Sequence, residues 1–144
     1  MPERKRISVS IIGLLTMIVL VVSGCGLFTL DSPVSCDSDS FYGYKATLPA
    51  SAQYVEEKCS NDFNPSYVAS FTIPSSDLST FQASTPIKQW DTSAPDNAYL
   101  APKARGASSV LYGTSSNGAI YEQVLIDTSD PARYKVTMQL VNID

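Results

Sequence analysis

The segment that most restricts the fold lies near the end of the chain, "AIYEQVLIDTSDPARYKVTMQL", Ala119 to Leu140. In its second half Tyr134, Val136, Met138 and Leu140, expected to face inward, alternate with Lys135, Thr137 and Gln139, expected to face outward. Only an extended strand turns that period of two into one apolar face. The first half, "AIYEQVLID", is apolar at both alternating sets, which predicts a central strand covered on both sides. "TSDPAR" between them is turn chemistry, so the two strands run antiparallel. Just upstream, Asn117-Gly118 is a hairpin signal that joins a further strand around Val110.

Earlier in the chain "QYVEEKC", Gln53 to Cys59, reads as a strand, although Glu56, Glu57 and Lys58 would also suit a helix. "SNDFNPS" then turns the chain. "YVASFTI" alternates again, with Tyr67, Ala69, Phe71 and Ile73 on the core side. After Pro74, "SSDLSTFQAS" predicts a helix of two to three turns. It has a serine N-cap, Asp77 near the positive end of the dipole, and Leu78 with Phe81 on one face. From Thr85 to Gly106 three prolines and little periodicity predict a long loop carrying Trp90, the sole tryptophan. Helix and strands are segregated rather than alternating. The expectation is therefore an α+β domain: an antiparallel sheet of about five strands with one short helix on one face. A small β-sandwich is the alternative.

The N-terminal segment has a different character. Arg4, Lys5 and Arg6 precede "IIGLLTMIVLVV", twelve uncharged residues from Ile11 to Val22, and small residues come next. This is the three-part form of an export signal. Val22-Ser23-Gly24-Cys25 resembles the lipobox of bacterial lipoproteins. That resemblance implies removal of residues 1–24, a diacylglyceryl group on Cys25, and a mature chain held at the extracytoplasmic face of the cell membrane. More than one acyl chain gives stable anchoring. Two other readings stay open: a plain secretory signal, or an uncleaved single-pass anchor, since Ile7 to Leu30 carries no charge. The expected organisation is signal peptide 1–24, lipidated cysteine and short tether 25–40, and one extracytoplasmic domain 41–144.

Removing the signal takes away three bases and one acid, leaving 7 Lys+Arg against 13 Asp+Glu and a net charge of −6. An acidic domain without a basic run argues against nucleic acid as a partner. With Cys25 taken by the anchor, Cys36 and Cys59 remain, and outside the cytoplasm they are expected to form a disulfide. A metal site is the poorer alternative, because two cysteines without a histidine supply half a zinc shell. Neither metal nor cofactor is expected.

The absence of histidine rules out Ser-His-Asp and Cys-His arrangements within the chain. No Gly-rich phosphate loop is present. Asp37 and Asp39 look like the start of a calcium loop, but Phe41 stands at its fifth position and a solvated tether is the favoured reading. Glu56 with Glu57, or Asp127 with Asp130, would be the pairs for a carboxylate-dependent envelope hydrolase, the rival reading. Trp90 and Tyr99, both on the long loop, are the candidates for a binding surface, against the plainer role of capping the core.

"LPASAQYV", "YVASFTIPSSDLSTF" and "YEQVLIDTSDPARYKVTMQLVN" resemble the layout of small uncharacterised lipoproteins from actinobacteria. The resemblance implies a strand leading through proline into a helix and a closing hairpin, and it implies no catalytic residue. The function expected is a non-catalytic binding or interaction module at the cell envelope, with an envelope protein or wall polymer as the partner expected.

Overall fold

A computed structural model describes residues 33–144. The signal peptide, Cys25 and the first part of the tether lie outside the described residues. A single antiparallel sheet of six strands dominates, in the order β1-β2-β3-β6-β5-β4. The strands are β1 (Pro33–Val34), β2 (Gln53–Ser60), β3 (Ser66–Pro74), β4 (Val110–Ser116), β5 (Ile120–Asp127) and β6 (Arg133–Asn142). The one α-helix is α1 (Leu78–Ser84), and 3-10 turns occupy Ser75–Asp77 and Ala101–Ala104. The fold is thus mostly β with a little helix, one open sheet rather than two facing ones. The sixth strand, β1, lies in the segment read as tether. It is two residues long, too short to register in any periodic pattern. Among the described residues no helix is long and apolar enough to cross a membrane.

The register sorts side chains onto two faces. Tyr67, Ala69, Phe71 and Ile73 of β3 pair with Leu140, Met138, Val136 and Tyr134 of β6. Val124 and Ile126 of β5 continue the same face. Nearly all of these are buried, and they form the main core. Helix α1 closes over it through Leu78 and Phe81, and the Phe81 ring meets Phe71 edge-on with centroids 5.9 Å apart. The expected serine cap is absent, because the chain leaves Pro74 through a 3-10 turn. The Ser75 N–H is met instead by the Ala132 carbonyl at 3.0 Å. At the other end Ser84 and Thr85 hydroxyls donate to the Phe81 and Gln82 carbonyls, closing the final turn.

The predicted loop of Thr85–Gly106 proves to be a strap around the free edge of β4. Ile87 is buried in the main core, and Trp90 packs half-buried against it. Asp91 then bridges to Tyr112 of β4 with paired backbone hydrogen bonds of 2.7 and 2.8 Å. Beyond that bridge the strap belongs to the opposite face, where Leu100 is fully buried with Tyr112 and Leu125. Gly113 makes the crossing feasible. A Cβ there would stand 2.5 Å from Ile87 Cγ2 and 3.0 Å from the Gln89 carbonyl oxygen. The strap also explains a departure from the sequence expectation. Thr137 and Gln139 point away from the main core but are buried, because this second face is covered rather than open to water.

The β4–β5 turn holds Asn117-Gly118 as anticipated. Gly118 takes φ +93°, and the Asn117 carboxamide oxygen accepts from the Ala119 and Ile120 N–H groups at 3.1 and 2.8 Å. Cys36 and Cys59 form a disulfide with Cα atoms 5.2 Å apart, fastening the segment after β1 to β2.

Candidate functional site

On the second face, between the strap and the β1–β2 edge, lies a groove of about 500 Å³. Its floor comes from the register: Glu56 lies opposite Ser70, Lys58 opposite Val68, and Ser60 opposite Ser66. Tyr99, Leu100 and Lys103 of the strap line it as well, and Pro33 of β1 lies at its margin. Leu100 is anchored in the second core, which fixes its neighbours. Tyr99 is 61% exposed beside it, and Lys103 lies in the adjoining 3-10 turn.

The groove is mixed in character, with Val68 and Leu100 among the serines, Glu56 and the lysines, and it carries little committed charge. Neither Lys58 nor Lys103 forms an ion pair among the described residues. Ser60 donates to Asp62 at 2.7 Å, and the Ser70 hydroxyl lies 3.3 Å from Thr137 Oγ1. Under the strap, Tyr112 donates to Gln123 at 3.4 Å and Gln123 donates to Gln139 at 2.7 Å. This satisfied ladder stiffens the second face beside the small apolar cluster of Leu100, Tyr112 and Leu125. Burial, with Tyr121 nearby, pushes the Tyr112 phenol up to about 12.

The main-core face holds the stronger electrostatics, and their role is structural. Fully buried Tyr67 donates to Glu57 at 2.6 Å. Burial, reinforced by Glu57, raises the phenol well above its ordinary value. Lys45 bridges Asp37 at 2.8 Å and Glu57 at 3.3 Å. The bond to Asp37 first, and Glu57 with it, holds the ammonium above its usual range against a smaller opposing effect of burial. The chain Asp37–Lys45–Glu57–Tyr67 therefore compensates the carboxylate that a buried tyrosine requires.

No protein-family model matches the chain, and no curated protein or solved structure matches it either. The site has to be read from its own residues. Trp90 and Tyr99 are not brought together: Trp90 lies with the main core, whereas Tyr99 lines the groove on the other face. Glu56 and Glu57 point to opposite faces, as consecutive strand residues must. Asp127 and Asp130 each accept from the N–H two residues on, Ser129 at 2.9 Å and Ala132 at 2.8 Å, which is the turn role their positions suggested. Asp37 is the partner of Lys45, and among the described residues no cluster of three or more metal-ligating side chains occurs.

Sequence reading missed Lys58, Lys103 and the serines of the floor. The one local signal was the polar alternation of Glu56, Lys58 and Ser60, facing Ser66 and Ser70 on the next strand. Recognising it as a site requires knowing that the strap returns across that face.

Proposed function

We propose that this protein is a lipid-anchored extracytoplasmic binding module, held at the cell membrane through Cys25, whose groove takes an extended polar polymer of the cell envelope. The groove itself carries the reading. It offers two uncommitted ammonium groups, serine hydroxyls and the exposed Tyr99 ring along one strand edge. Hydroxyl-rich or anionic chains are held by such donors, with an aromatic ring for stacking. The non-catalytic part of the proposal is supported by the carboxylates. Glu57 is committed to Tyr67 and Lys45, and Asp127 and Asp130 to their turn.

Titration of the protein with solubilised wall-polymer fragments tests this directly. Saturable binding is expected; Lys103→Ala should weaken it by roughly tenfold for a lost charged hydrogen bond, and Tyr99→Ala should weaken it through loss of the stacking ring. Binding unaffected by both substitutions would remove the groove as the site. For the anchor, Cys25→Ala should change the intact mass of the exported protein by the acyl groups and release it from membranes. An unchanged mass and membrane association would sink lipidation.

A further inference from the structure

Four of the seven exposed large apolar side chains among the described residues stand at one end of the sheet: Tyr42, Tyr44, Phe63 and Ile143. That end holds the β2–β3 turn, the β4–β5 turn and the finish of β6. Residues 40–44 are strung across it by hydrogen bonds. Asn61 donates to the Ser40 carbonyl at 2.6 Å, Tyr42 Oη to the Asn61 carbonyl at 3.1 Å, and the Tyr44 N–H to Asn142 at 3.2 Å. Gly43 permits the close packing, since a Cβ there would lie 2.5 Å from the Phe41 ring and 3.1 Å from Pro65. The result is a fixed aromatic rim, with Phe63 97% exposed at the turn.

The chain also comes into the domain from this end, because Pro33 pairs with Ser60, next to the β2–β3 turn. Cys25 precedes Pro33 by eight residues. Fully extended, that span reaches at most about 29 Å. We infer that Tyr42, Tyr44 and Phe63 rest in the headgroup layer of the membrane to which Cys25 attaches the chain. The inference rests on the lipid-anchor reading above. Tyrosine, with one polar edge, favours that layer, and the wholly apolar Phe63 ring favours its boundary with the acyl chains. The short covalent link makes even a weak contact effectively intramolecular. Asp37, Asp39 and Asp62 lie close by in sequence, so a neutral surface is favoured over an anionic one. With this end down, the strands rise from the membrane and the groove opens sideways, away from the lipid.

The test uses the full chain purified with its anchor and reconstituted in phosphatidylcholine vesicles, some carrying brominated acyl chains. Phe63→Trp places a reporter on the rim, and Tyr54→Trp places one at the opposite end of β2, at a residue 80% exposed. Native Trp90, packed on the core, is the internal reference. The emission added by Phe63→Trp should shift to the blue and lose most of its intensity with brominated lipid, and do so less with added phosphatidylglycerol. The emission added by Tyr54→Trp should be unaffected. Protein that floats with the vesicles while Phe63→Trp stays unquenched overturns the rim and leaves the anchor standing. Equal quenching at both positions overturns it also, since no end is then preferred. Protein that fails to float overturns the anchor, and the rim with it.

Discussion

Glu122 is the side chain whose surroundings suit its charge least. It lies on the main-core face of β5, 7% exposed, opposite Leu140, with a 3.5 Å contact to the Ser115 hydroxyl as its hydrogen bond. Burial raises its pKa, and the Ser115 bond only partly counters this. A carboxyl that binds its proton more tightly when folded stabilises the protein below its unfolded pKa. That contribution is lost as pH rises through the folded value. At neutral pH the buried charge is therefore a cost. Glu122→Gln should raise the melting temperature at pH 7, and the gap between variant and parent should close as pH falls through the mid-acid range near 4.5, the ordinary glutamate value. Thermal melts of both proteins across pH 3.5 to 7.5, roughly spanning the glutamate titration, decide it. A gap that stays constant over that range would show that the carboxylate is solvated. The contrast with Glu57 is instructive. Its oxygen receives Tyr67 and faces Lys45, so its charge is used rather than stranded.

At the scale of elements the strap determines what the sheet can become. Residues from Thr85 to Gly106 carry no period that a strand or helix would show, so sequence reading could place them only as a loop. The strands of the final third were legible because each alternates against a partner a few residues away in sequence. The strap's structure depends on distant partners instead: Asp91 on Tyr112, Ile87 on the main core, Leu100 on Leu125. For the same reason Thr137 and Gln139 read as solvent-facing, since polar side chains over a covered face have the same alternation as over an open one. The groove was illegible for the related reason that its wall and floor come from segments some forty residues apart. Leu100→Ala tests this account of the strap. Removing a fully buried leucine should cost about 2–5 kcal/mol in denaturant unfolding. Amide exchange should accelerate along residues 92–107 before it does in β3 and β6. A loss well under 1 kcal/mol, with exchange unchanged there, would mean that the strap holds without this anchor.

Over the whole molecule the disulfide has an influence out of proportion to β1. The central strands β3, β6 and β5 are joined along nearly their full lengths and need no covalent help. By contrast β1 makes two register pairs, and the segment after it is held by Cys36–Cys59 and by Asp37 on Lys45. Closing a loop between residues 23 apart restricts the unfolded chain by about 3 kcal/mol on the entropy model. Cys36→Ala/Cys59→Ala should lower the melting temperature on the order of 10 °C in a domain of this size. Exchange rates then separate two origins for that loss. If the bond acts only on the unfolded chain, amides of β1, β2 and the central strands all lose protection by the same factor. If it also clamps the edge, β1 and residues 36–45 open at a free energy far below the global one. The second outcome is expected, because two backbone pairs cannot hold a terminal strand against fraying. In the parent protein that clamp keeps Pro33 at the rim-bearing end, so in the double variant the chain is first firmly held only at β2.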